Sequence, residues 1–152
     1  MLKLPLILIT STVILFSAES PQSNTSLERS DVNWVSIEEA QELVKTAPRK
    51  VFIDIYADWC SWCKVMDKKT FSNSKVANYI NDNYYAVRLD AESHEMTTFN
   101  GQKVSQRDLV KSFKVQGLPT IVFIDERFKK IKPVPGYQDP TQFLKSLQKF
   151  NK

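Results

Sequence analysis

Residues 50–57 read KVFIDIYA. The run is β-branched and aromatic, with almost no alternation of apolar and polar residues. Such a run suits a strand buried on both faces, in the middle of a parallel or mixed sheet. One residue does not fit the setting, Asp54. A carboxylate in a doubly buried strand is costly unless it has a partner or a task. Just beyond the run stand Cys60 and Cys63, the two cysteines of the chain.

The rest of the chain alternates helices with strands around that centre. SIEEAQELVKTA predicts a helix. Ser36 and Glu39 form a capping box, Ile37, Ala40, Leu43 and Val44 share a face, and Pro48 ends the helix. CSWCKVMDKKTF predicts a helix that starts at or just before Cys60. NSKVANYINDN predicts a further helical segment, with Val76, Ala77 and Ile80 as its apolar side. YYAVRLDA reads as a strand, and residues 92–104 as a long connection. SQRDLVKSF reads as a helix capped by Ser105, and LPTIVFIDE as a strand introduced by proline. KKIKPVPGY reads as a short edge strand. DPTQFLKSLQKF reads as a last helix, capped by Asp139 and opened by Pro140. The order α-β-α-β-α-β-β-α predicts an α/β fold. Its central mixed sheet is flanked by helices, with a C-terminal antiparallel hairpin followed by a helix.

A chain of 152 residues is enough for one domain with one core. The first residues stand apart from it. Lys3 precedes an apolar stretch from Leu4 to Phe16, and SAES then offers small residues for cleavage. Residues 1–20 therefore read as a secretory signal peptide. An uncleaved N-terminal anchor is the alternative, because the cleavage site is imperfect. Residues 21–33 read as a polar linker and 34–152 as the folded domain. The expected location is the periplasm or another exported compartment. The net charge of +4 comes from scattered lysines with no basic face, so no nucleic-acid partner is expected. The domain reads as a monomer.

Export sharpens the meaning of the two thiols. A bridge between Cys60 and Cys63 closes a very small loop, and loop-closure stabilisation grows with loop length. The pair is a poor staple, which points to chemistry. At a helix start, unpaired N–H groups and the helix dipole favour a thiolate. Cys60, at the helix start and nearer the surface, is then the attacking thiolate. Cys63, one turn further in, resolves the mixed disulfide. Burial raises the pKa of Asp54, which could take the proton of Cys63 from beneath. The alternative is that Asp54 faces a polar pocket or a basic side chain. A zinc site needs four ligands, and His94 is the one further Cys or His available, so no metal is expected.

VFIDIYADWCSWCK resembles the active-site region of the thioredoxin superfamily, and GLPTIVFID resembles its cis-proline signature. PGYQDPTQFLKSL resembles the last strand and helix of that fold. The pattern is similar to the C-terminal thioredoxin-like domain of the membrane thiol:disulfide interchange protein of Gram-negative bacteria. It is also similar to exported thioredoxin-related proteins of the SoxW type. The resemblance implies Cys60 as nucleophile, Cys63 as resolving thiol, Asp54 as buried acid/base and Pro119 as the cis-proline. It implies substrate binding by Trp59, Leu118, Pro119 and Thr120, with Leu118 pairing to an extended substrate chain. Ser61 and Trp62 replace the Gly-Pro spacer of general thioredoxins and are expected to tune the redox potential. Arg88 is the nearest candidate for a lysine that many thioredoxins carry. Residues 92–104 form either a wall of a partner surface or an inert insertion. The implied activity is thiol–disulfide exchange on protein thiols, in the reducing direction, without a cofactor. A membrane thiol carrier is the implied electron donor. Oxidase or isomerase activity, or a redox-inert peptide-binding module, are the alternatives.

Overall fold

The computed structural model describes residues 31–152. The expected signal peptide, and the linker up to residue 30, lie outside the described residues. Val32 is buried and Asn81 bonds the backbone of both Asp31 and Asn33. The packed chain thus begins slightly before the expected boundary at 34.

Strand β2 (Lys50–Tyr56) is the central strand, and five of its seven residues are buried. It pairs in parallel with β3 (Tyr84–Asp90) on one side and antiparallel with β6 (Thr120–Ile124) on the other. Strand β7 (Ile131–Pro135) adds antiparallel to β6 and forms an edge. Its two prolines donate no hydrogen bonds, which suits an edge strand. Strand β1 (Trp34–Val35) pairs in parallel with β3 and closes the order β1-β3-β2-β6-β7. The mixed sheet and C-terminal hairpin are those expected. Strand β1 was not expected, because two residues carry no periodicity to read.

Helix α1 (Ile37–Thr46) starts where Ser36 Oγ accepts from the Glu39 N–H, at 3.0 Å. It buries Ile37, Ala40 and Val44, while Leu43 is half-buried. The active-site helix α2 (Ser61–Met66) passes directly into a π-helical turn, Asp67–Phe71. The sequence reads as one uninterrupted helix there, since apolar spacing alone does not reveal a widened turn. Helix α3 (Ser74–Asn83) is capped by Asn73 and buries Val76, Ala77 and Ile80.

The connection expected over 92–104 contains a hairpin, β4 (Met96–Phe99) and β5 (Gln102–Ser105). Asn100 and Gly101 form its two-residue turn with φ of 49° and 78°. Asn-Gly is favoured in such turns because both positions need positive φ. That dipeptide was the signal in the sequence. Helix α1 holds the hairpin: Glu38 accepts from the Thr97 hydroxyl and, at 2.7 Å, from the Thr98 N–H. Gln41 bonds the Thr98 carbonyl and the Asn100 N–H. Helix α4 (Gln106–Ser112) follows, capped by Ser105, and α5 (Pro140–Phe150) closes the chain behind an Asp139–Gln142 capping box.

The sheet separates two cores. On the α1 and α4 side, Ile37, Val51, Ile53, Ile55, Leu109 and Phe113 pack with their neighbours. On the other side Phe52 contacts the rings of Trp34, Phe71, Tyr84 and Phe143 at centroid distances of 5.7–6.2 Å. Burying an aromatic ring in such a cluster contributes about 3–5 kcal/mol, judged by the cost of truncating it to alanine. Asp54 follows Phe52 by two residues, so its side chain leaves β2 on this aromatic face.

Candidate active site

Strand β2 delivers the chain to Ala57, whose carbonyl accepts from the Cys60 N–H at 3.0 Å. That turn places Cys60 at the N-cap of α2, with extended φ and ψ of −76° and 97°. The Cys63 N–H donates to Cys60 Sγ at 3.1 Å. Cys60 and Cys63 are joined in a disulfide. In the reduced protein the same N–H and its neighbours stabilise negative charge on Cys60 sulfur.

One expectation is corrected. Cys60 is 4% exposed and Cys63 7%, so Cys60 is not the more exposed of the two. The bridge draws both sulfurs into a single turn. The flanking Trp59 and Trp62 take the exposed positions, at 64% and 59%. Trp59 thus stands in solvent, and Ser61 is exposed as well.

Asp54 is buried, opposite Arg88 on β3 and Ile121 on β6. It lines a pocket of about 180 Å³ together with Cys63, Tyr56, Asp58, Lys64, Asp67 and Arg88. Burial pushes its pKa up to about 7; the Arg88 charge opposes the rise and the Asp67 carboxylate adds to it. Arg88 Nε lies 3.4 Å from Asp54 Oδ2 yet makes no hydrogen bond, so the contact is electrostatic. The guanidinium also pairs with Asp67 and lies over the Trp34 ring, 4.1 Å from its centroid. Arg88 therefore holds the position that the sequence left unsettled. Asp54 has a charged partner and a shared pocket with Cys63 together. A carboxyl poised near neutrality can accept a thiol proton and release it again.

The second half of the site comes from β6. Thr120 pairs with Ile55, so Leu118 and Pro119 lie at the end of the sheet where β2 runs towards Cys60. The Leu118–Pro119 peptide is cis. Pro119 and Thr120 are buried, and Thr120 Oγ1 donates to the Gly117 carbonyl at 2.7 Å. Leu118 is half-buried and enters none of the hydrogen bonds among the described residues. The Gly136 N–H donates to the Pro119 carbonyl at 2.8 Å, which ties in the loop carrying Tyr137. The Tyr137 ring meets that of Trp62 at 5.2 Å. Sequence reasoning missed Tyr137, because nothing in its local pattern marks an aromatic contact across the fold. The hairpin of residues 96–105 is held by α1 and α4, and none of its residues lines the Asp54 pocket. His94 is exposed.

A redox-active cysteine pair at a helix start, above a buried acid and on this sheet, defines a thioredoxin-fold thiol–disulfide oxidoreductase. The chain belongs to the thioredoxin-like domain family, whose model matches residues 37–151. It is 32% identical over 136 residues to the thiol:disulfide interchange protein DsbD of Pectobacterium atrosepticum, covering 86% of this chain and 22% of that protein. To DsbD of Photorhabdus laumondii it is 35% identical over 130 residues, covering 84% and 21%. The chain thus spans about a fifth of these relatives. A solved structure titled as the Neisseria meningitidis DsbD c-terminal domain in the oxidised form shares the fold. Its TM-score is 0.58 at 20% identity, covering 76% of this chain and 91% of that one. The DsbH oxidoreductase also shares it, with a TM-score of 0.67 at 21% identity, covering 89% and 94%.

Proposed function

We propose that this domain is an exported protein-disulfide reductase. The Cys60 thiolate attacks a substrate disulfide, forms a mixed disulfide and releases one substrate thiolate. Asp54 takes the Cys63 proton, and Cys63 attacks Cys60 Sγ. The Cys60–Cys63 bond forms, the mixed disulfide breaks and the second substrate sulfur leaves. Two electrons have passed from the pair to the substrate. A membrane thiol carrier returns them by exchanging its own dithiol for the Cys60–Cys63 disulfide. Sulfur holds the electrons throughout, so the cycle uses no cofactor.

The observation that carries this reading is the pocket shared by Asp54 and Cys63. The reductive direction and the membrane donor rest on similarity to thiol:disulfide interchange proteins. The decisive measurement is the reduction potential of the pair, combined with insulin reduction. A potential near that of thioredoxin, about −270 mV, with insulin reduction that Cys60→Ser abolishes, supports the reductase. A potential near about −120 mV would make the pair an oxidant instead. Inactivity towards insulin with an intact dithiol would leave a peptide-binding module.

A further inference from the structure

The exposed apolar surface of the described residues gathers around the disulfide. Of the four large hydrophobic side chains that stand in solvent, Trp59 and Trp62 flank the cysteine pair. They differ in their surroundings. Trp62 lies against Tyr137 with the rings inclined at 41°, whereas no ring contact involves Trp59. An inclined pair leaves an open notch with π-faces on two sides. The Gly136–Pro119 hydrogen bond fixes the Tyr137 loop to the loop that carries Leu118. Leu118 has backbone groups free to pair with an extended chain. A substrate strand paired there would run beside the disulfide and within reach of the Trp62–Tyr137 notch.

The charges next to this notch are already engaged. The Asp139 carboxylate accepts from the Gln142 N–H at 2.9 Å in the capping box of α5. Lys64 lines the pocket of Asp54 and Cys63. The notch therefore has no free anion to receive a basic side chain. Its chemistry suits an uncharged aromatic ring, which gains edge-to-face contact with both walls.

The geometry points to Trp62 and Tyr137 as specificity-determining residues: they receive an aromatic side chain adjacent to the substrate cysteine that Cys60 attacks. The inference rests on the oxidoreductase reading above and names its substrate class, extended disulfide-bearing chains with an aromatic neighbour to the cysteine. Trp62 thereby acquires a binding role beside the redox tuning expected of the spacer.

The test uses two symmetrical peptide disulfides, one with phenylalanine on both sides of its cysteine and one with serine. Pre-reduced protein, freed of reductant, is mixed with each in single-turnover experiments. The second-order rate of peptide thiol release is read by chromatography. Wild type is expected to favour the phenylalanine peptide by about fivefold, the scale of one aromatic contact. Trp62→Ala and Tyr137→Ala should each bring the ratio below about twofold, and Trp62→Phe should restore most of it. The ratio cancels changes in potential or thiolate content, which act on both peptides alike. Tyr137→Ala also leaves the spacer untouched. Equal wild-type rates, or a preference that survives both alanine substitutions, overturns the inference and leaves the reductase standing. Failure of wild type to reduce either peptide overturns the oxidoreductase reading itself.

Discussion

Replacing Asp54 by asparagine removes a buried charge and leaves a neutral group of similar shape. The carboxyl rises from its ordinary 3.8 to about 7 in the folded protein, chiefly through burial. A folded pKa above the unfolded one means that the folded state holds the proton more tightly. The stability this contributes is fully present below the unfolded value near 3.8 and is lost as pH rises through about 7. Relative to a neutral side chain, the resulting penalty is about 1 kcal/mol at pH 4.5 and roughly 4 kcal/mol at pH 8. The stability gap between Asp54→Asn and wild type should therefore widen by about 3 kcal/mol over that range. Urea denaturation of the oxidised proteins reads this directly. For m near 2 kcal/mol/M, the gap in midpoints grows by about 1.5 M. The buried amide brings N–H donors that need partners, a fixed cost of about 1–3 kcal/mol that does not vary with pH. Parallel midpoint curves would refute the buried, proton-holding carboxyl. A kinetic arm isolates its chemical role. In single turnover, Asp54→Asn should leave mixed-disulfide formation nearly intact and slow its decay at least tenfold, the low end of the about 10²–10⁴-fold typical of acid–base catalysis. Unchanged decay would remove Asp54 from the proton path.

Other outcomes follow from neighbouring features. Arg88→Met removes the positive charge that restrains the Asp54 pKa, so the inflection of stability against pH should move above about 7 in the same titration. Limiting iodoacetamide at mildly acidic pH should label Cys60 of the reduced protein, with the adduct mapped by mass spectrometry; preferential labelling of Cys63 reverses the roles. Glu38→Ala should cost about 1–2 kcal/mol, because its carboxylate holds the Thr97 hydroxyl and the Thr98 N–H. Hydrogen exchange should then speed up across residues 96–105 more than elsewhere. Residues 1–33, fused to a reporter active only outside the cytoplasm, should switch that reporter on.

The parts of the fold that the sequence made legible are those with a local physical signature. Strand β2 announced its double burial by lacking alternation, and Ser36, Ser105 and Asp139 marked helix starts by chemistry confined to four residues. The cysteine pair was legible for the same reason, as a spacing set by one helical turn. What escaped depends on partners distant in the chain. Trp34 and Val35 become a strand because β3 offers them a parallel edge. The Asp54–Arg88 contact is set by the register of β2 and β3, which no local pattern specifies. Tyr137 meets Trp62 across 75 residues of chain. Asn100-Gly101 was a local signal, obscured by the reading of its surroundings as one long connection.

The π-helical turn at Asp67–Phe71 has its own consequence for how this chain can change length. A π turn spans one residue more than an α turn closes over. Thr70 within it donates from Oγ1 to the Gln138 carbonyl at 2.7 Å, and Asp67 at its start reaches Arg88. Deleting one residue there would let α2 continue as regular helix up to Ser72 with its backbone bonds intact. The side chains beyond the deletion would turn by about 100° about the helix axis, the angle per residue of a 3.6-residue turn. Thr70 would swing away from Gln138, and the turn would lose its hold on the loop behind Tyr137. The extra residue thus works as a phase shift. It lets one short helix present its cysteines to solvent at one end and grip the far loop of the domain at the other.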